Sequence, residues 1–204
     1  PQGPQGEQGI QGIQGEQGPA GADGAAGADG TGAIESVTEE GNTGVRLSSS
    51  SAENHGNIGN SAVDLSYSDS ESDTKGATGD RSTAMGINTT ASGTFSIAMG
   101  LQTTASGYVS TAIGINTTAS GQQSVAIGDL ASAQGLISTA MGHNTYAIGD
   151  RSTAMGQYSS AEGAISTAMG SGTQAIGSTS TAMGNNTTAS DYASLVIGQY
   201  NASG

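Results

Sequence analysis

The side chains able to do chemistry are few, and they stand apart from one another. Asp64, Asp69, Glu71 and Asp73 fall close together with serines between them. Hard oxygen donors at alternate positions suit Ca²⁺, but the Gly-centred order of an EF-hand loop is absent. A solvated acidic face is the plainer expectation, and these four are only weak metal candidates. His55 and His143 are the two histidines. A Ser-His-Asp nucleophile can be written on paper, yet the serines recur as structural positions. No phosphate-binding loop, zinc spacing or nucleophile elbow occurs. The expectation is a protein that is not an enzyme and carries no cofactor. Two further patterns catch the eye. Asp80-Arg81 and Asp150-Arg151 are placed alike and suggest an ion pair between chains, though an exposed pair is worth little. Asn88, Asn116, Asn186 and Asn201 open glycosylation sequons, as expected by chance in a chain rich in Ser, Thr and Asn.

What positions these residues is a period of fourteen. In register, the turns begin at Asp80, Thr94, Tyr108, Gln122, Leu136, Asp150, Ala164, Ser178 and Tyr192. Position three is always Ser (Ser82 to Ser194), and position seven is always Gly (Gly86 to Gly198). Position five is Ala except at Val196, and position twelve is Ala from Ala91 to Ala189. Position six is only Met or Ile: Met85, Met99, Ile113, Ile127, Met141, Met155, Met169, Met183 and Ile197. A short fixed period means a solenoid whose units are stable only when stacked.

Fourteen residues suit one coil of a β-solenoid. Ser-Thr-Ala-Met-Gly alternates, so positions four and six point one way and three, five and seven the other. The alanines belong inside a coil this small. Positions four and six then form an apolar stripe outside it, too large a patch to leave in water. Gly at seven and fourteen is read as supplying tight corners, and Asp191, at fourteen, as a residue that tolerates a left-handed corner. Positions eight to eleven, thirteen, one and two vary, and are expected in corners and on outer faces. Their Asn, Gln, Ser, Thr and Tyr would offer repeated weak contacts to a polymer such as a glycan or matrix protein.

The first thirty residues set the number of chains. Gly3, Gly6, Gly9, Gly12, Gly15, Gly18, Gly21, Gly24, Gly27 and Gly30 form ten successive triplets. Strict Gly-X-Y is the pattern of the collagen triple helix, in which only Gly fits at the axis. Pro1, Pro4 and Pro19 all fill X, so hydroxyproline at Y is not the stabiliser. A Pro-poor triple helix is marginal alone and gains from a trimeric neighbour that holds its strands together. The stripe at position six would then be the trimer interface.

Composition narrows the partners. A formal charge of −13 with four cationic side chains excludes phosphate-backbone binding and disfavours anionic membranes. No run of eighteen apolar residues occurs, so membrane insertion by this segment is not expected. There is no Cys, and aromatics are 3% of residues, so stability must come from ladders and from burial between chains.

The turns Ser-Thr-Ala-Met-Gly-Ile-Asn-Thr-Thr-Ala-Ser-Gly (82–93) and Ser-Val-Ala-Ile-Gly (124–128) resemble the head repeats of YadA-like trimeric autotransporter adhesins. The resemblance implies a left-handed parallel β-roll in each chain, with three rolls about one axis. The collagen-like segment also resembles those of bacterial and phage tail-fibre or surface-fibre proteins. The expected fold is all-β and fibrous: a homotrimeric β-roll preceded by a collagen triple helix. Its parts are a collagen-like segment at 1–32, a β adaptor or cap at 33–65 with strands at 34–38 and 44–47, and a roll at 66–204. Residues 66–79 are read as a degenerate first turn. The expected role is an extracellular trimeric fibre, on a cell surface or virion, that mediates adhesion or host-surface recognition through polar corners. The alternative is a purely structural stalk or tail-fibre shaft.

Overall fold

The computed structural model describes Gly3 and residues 33–203. The triplets from Gly6 to Gly30 lie outside the described residues, so the triple-helix reading finds no test there. Residues 31–204 are a unit separate from 1–30.

The described chain opens with a hairpin. Strands β1 (Ile34–Glu39) and β2 (Asn42–Leu47) pair antiparallel around Glu40-Gly41, both at positive φ (50° and 85°). Two successive left-handed residues make the tight turn whose twist matches that of its strands. A short 3₁₀ turn, Ala52–Asn54, follows, then β3 (Val63–Tyr67).

From there the chain coils. Each coil carries one five-residue strand and one two-residue strand, from β4 (Thr83–Ile87) and β5 (Thr90–Ala91) to β20 (Leu195–Gln199) and β21 (Ala202–Ser203). The long strands continue the sheet begun by the hairpin, which has twelve strands, parallel throughout except at β1. The short strands form a second, nine-stranded parallel sheet. Eleven parallel long strands, β2 included, make this a β-solenoid of about eleven turns.

Pairing runs position on position: Ala126 lies between Ala112 and Ala140, and Gly128 between Gly114 and Gly142. The interior is built from the smallest side chains. The alanines at positions five and twelve are fully buried, as are the serines at three from Ser96 to Ser180. Only side chains of this size fit between two sheets one coil apart. Val196 and Ser203 replace Ala in the last turn, where Ser203 pairs with Ala189.

Three expectations change. Position ten, read as an outer corner, is interior: Thr89, Thr103, Thr117, Thr145, Thr173 and Thr187 are fully buried. Its small size in nearly every turn was the overlooked signal. Position fourteen is not a left-handed corner. Gly93 has ordinary φ, and a Cβ there would land on the Gly107 carbonyl of the next turn, so Gly is required by close stacking. Asp191 likewise has no positive φ. The left-handed corners are instead at positions two and nine, with φ between 50° and 65° in every turn, while Gly at seven combines φ above 100° with stacking onto the next Gly.

The degenerate first turn also has a different frame. Ala77 is buried and Gly79 stacks on Gly93, as expected for positions twelve and fourteen. The long strand, however, is β3, where Val63 pairs with Thr83 across twenty residues while Gly76 bridges Thr90 across fourteen. Six extra residues therefore bulge out between the two strands of this coil, and the boundary at 65/66 falls inside β3.

Candidate functional site

The interior of the cap is chemically unlike that of the roll. Pairing sets Arg46 on Asp64 and Asp64 on Ala84, so two charged residues occupy the inward place that Ala fills elsewhere. Both are buried. Arg46 Nη1 donates to Glu39 Oε1 at 2.7 Å, and Nη2 donates to the Gly56 carbonyl at 3.0 Å. Its Nε stands 3.4 Å from Asp64 Oδ2. His55 Nδ1 lies 3.0 Å from the same oxygen, and Ser66 donates both its N–H and its hydroxyl to Oδ1. Burial pushes the Asp64 carboxyl up, but the hydrogen bonds from His55 and Ser66 outweigh it and hold its pKa below the ordinary carboxylate value. A Cβ at Gly76 would land on Asp64 Oδ2, so that glycine makes room for the carboxylate.

This arrangement separates the four acidic residues. Asp64 is inside, while Asp69, Glu71 and Asp73 are exposed on the bulge. Glu71 and Asp73 line an open depression of about 510 Å³ with Glu53 and His55. Among the described residues no three His, Cys, Asp or Glu side chains stand close enough to hold a metal ion.

The outward face of the long-strand sheet carries the stripe. The position-six residues, from Met85 to Ile197, are direct Cα partners turn after turn. Most are half-buried in the single chain, while Met141 is 36% and Ile197 58% exposed. Leu65 pairs with Met85 and extends the stripe into the cap. It was missed because the repeat frame was carried back at fourteen residues rather than twenty.

The corners hold what polar chemistry there is. His143 Nδ1 lies 3.1 Å from Asp129 Oδ2, and its ring meets Tyr158 edge-on at 5.3 Å. Tyr146 donates its hydroxyl to Asn144 Oδ1 at 2.8 Å. The Asp129–His143 pair is about half exposed, so it contributes little to stability. Among the described residues no serine hydroxyl bonds to either histidine. Asp80 Oδ1 accepts the Asn60 N–H, and Asp150 Oδ1 accepts the Leu136 N–H, so each Asp ties its coil to the one before. Arg81 lies over the Phe95 ring at 5.3 Å, and Phe95 meets Tyr108 edge-on. Neither Arg81 nor Arg151 reaches a carboxylate among the described residues. Asn88, Asn116 and Asn186, three of the four sequon residues, stand at left-handed position nine, where Asn is favoured for its backbone.

Positions two and nine solve the same corner differently. Position nine is Asn or Gly in five turns: Asn88, Asn116, Asn144, Gly172 and Asn186. Position two is never either, and carries Phe95, Val109, Ile137, Ile165 and Thr179 at φ 55–60°. A left-handed L-residue costs roughly 1–2 kcal/mol, and branched side chains are the least tolerant.

A parallel roll with an interior of Ala, Ser and Thr and an apolar stripe outside is a β-solenoid built from one repeated coil. The YadA head domain repeat (2 copies) matches residues 77–103, 105–131, 133–159, 147–173 and 175–201, more than half of the sequence, and the chain belongs to that family. No curated protein matches it. No helix among the described residues is long and apolar enough to cross a membrane.

Proposed function

We propose that three copies of this chain assemble through the position-six stripe into a trimeric fibre head, each roll left-handed, on a cell surface or virion. Residues 1–32 form the collagen-like triple helix of the same fibre, a reading that rests on the ten unbroken triplets. The fibre mediates adhesion or host-surface recognition, with a glycan or matrix protein as the ligand of its exposed corners. The observation that carries this reading is the stripe: nine Met or Ile residues in exact Cα register on one outward face, continued by Leu65. Such a patch is stable in water only when covered, and identical rolls in parallel cover it with no change of period.

Light scattering tests it. The expected mass is three times the 19.7 kDa chain, and a monodisperse monomer or dimer overturns the reading. Glycan-array and matrix-protein binding by the intact chain then separates adhesion from a purely structural shaft. A trimer that binds neither class supports the shaft.

A further inference from the structure

The outward face of the long-strand sheet has two lateral edges, position two on one side of the stripe and position eight on the other. We propose that these edges seal against each other between neighbouring copies, position two of one chain packing on position eight of the next at the same turn. The proposal rests on the trimeric reading and specifies its contacts. Three copies about one axis use heterologous contacts, in which one patch meets a different patch on the neighbour. Two edges flanking a shared stripe are the patches such a ring brings together.

Three observations support the pairing. First, position two carries branched and aromatic residues in a left-handed backbone where position nine shows that Asn or Gly would serve. Within one chain Phe95 meets Arg81 and Tyr108, while Val109, Ile137 and Ile165 remain 41–53% exposed. Such strain persists where the surroundings over-determine it, and a contact outside the chain would do so here. Second, position eight is itself apolar and 38–47% exposed in the first three turns, at Ile87, Leu101 and Ile115; in turns two and three it shares the turn with Phe95 and Val109. Third, the two edges match in character from turn two to turn four. Phe95 matches Leu101 in turn two and Val109 matches Ile115 in turn three, while turn four sets Gln123 against Asp129. Turns five and seven set Ile137 and Ile165 against His143 and Ser171, so the aliphatic seal is densest at turns two and three. Both edges are continuous with the stripe, so the covered face widens from positions four and six to two through eight.

The chain has no cysteine, which makes disulfide trapping clean. The test is the full chain carrying Val109→Cys and Ile115→Cys together, oxidised and run in SDS without reductant. The expected result is conversion of monomer to a covalent trimer, reversed by reductant, with both single variants left uncross-linked. A disulfide needs Cα atoms within about 7 Å, so trapping reports direct apposition. Light scattering and circular dichroism on the reduced variants accompany it. A trimer of unchanged mass and fold that fails to cross-link, or a single variant that cross-links by itself, overturns the edge pairing and leaves the trimer standing. A monomeric mass for the unmodified chain overturns both. If the double variant misfolds, Phe95→Cys with Leu101→Cys repeats the test one turn lower.

Discussion

The cap and the roll fill the same inward position with opposite chemistry. From Ala84 onward it is a methyl group, stacked on its equivalents in the turns before and after. Below Ala84 it is Asp64, and below that Arg46, an ion pair completed by Glu39, His55 and Ser66. The roll is specified by repetition, since any turn fits any other and nothing in its interior sets register. A buried ionic group pairs only one way, and charged or polar core residues have served elsewhere to fix register at some cost in stability. The difference teaches that the cap holds the information about where the solenoid starts, and the roll holds the capacity to extend.

The largest way to break this comparison is in the roll. Met141→Asp sets three carboxylates around one axis if the stripe is the trimer interface, and dissociation of the fibre is expected by light scattering. In an isolated roll Met141 is 36% exposed, so a variant with unchanged mass and melting temperature removes the stripe from the interface.

A glycine comes next. In Gly114→Ala the new Cβ lands on the Gly128 carbonyl at φ 132°, where the backbone of the next coil has no room to yield. A loss of about 3–5 kcal/mol is expected by chemical unfolding, the range of severe core defects. Gly198→Ala meets only the Asn201 side chain and is expected to cost less. Equal losses at the two sites would show that stacking does not set the requirement for glycine.

The cap should respond to pH through Asp64. Asp64 has a lowered pKa in the fold, so its stabilising contribution is full above the unfolded value of about 3.9 and is lost as pH falls through the lower folded value. The protection of β2 and β3 against hydrogen exchange is expected to fall below about pH 4. Asp64→Asn leaves Arg46 Nε and His55 without their carboxylate, and a loss of about 3 kcal/mol is expected at neutral pH. Protection in β3 that is the same for variant and parent would remove the ion pair from the account of the cap.

The smallest effect is at a corner. Asn144→Asp keeps a residue at home in left-handed backbone and an oxygen facing Tyr146, so the change is expected to stay within about 0.5 kcal/mol. A drop in melting temperature comparable with that of Gly114→Ala would mean that the corner is not free.

Much of the roll was legible because its period repeats nine times. Alternation placed Ala84 and its equivalents inside and Met85 and its equivalents outside, and the structure agrees at every turn. Part of what was illegible depended on residues acting once. Asp64 reads as one of four neighbouring acids, and only the partnering of β3 with β2 and β4 turns it inward. Six residues that bulge from one coil leave no trace in composition, so the repeat was extended back in the wrong frame. The left-handed corners were assigned to glycine on propensity. In the structure they fall to Arg81, Val109 and Ile137, because glycine is needed more urgently where one coil touches the next.

Each coil is joined to its neighbours by hydrogen bonds and packing, with no cysteine in the chain to staple one turn to another. A load pulling on a free end of such a stack therefore meets one coil at a time. Releasing fourteen residues frees roughly 45–50 Å of extended chain in exchange for about 5 Å of height. A fibre made this way yields under tension in even steps, each lengthening it about tenfold over the coil that was lost.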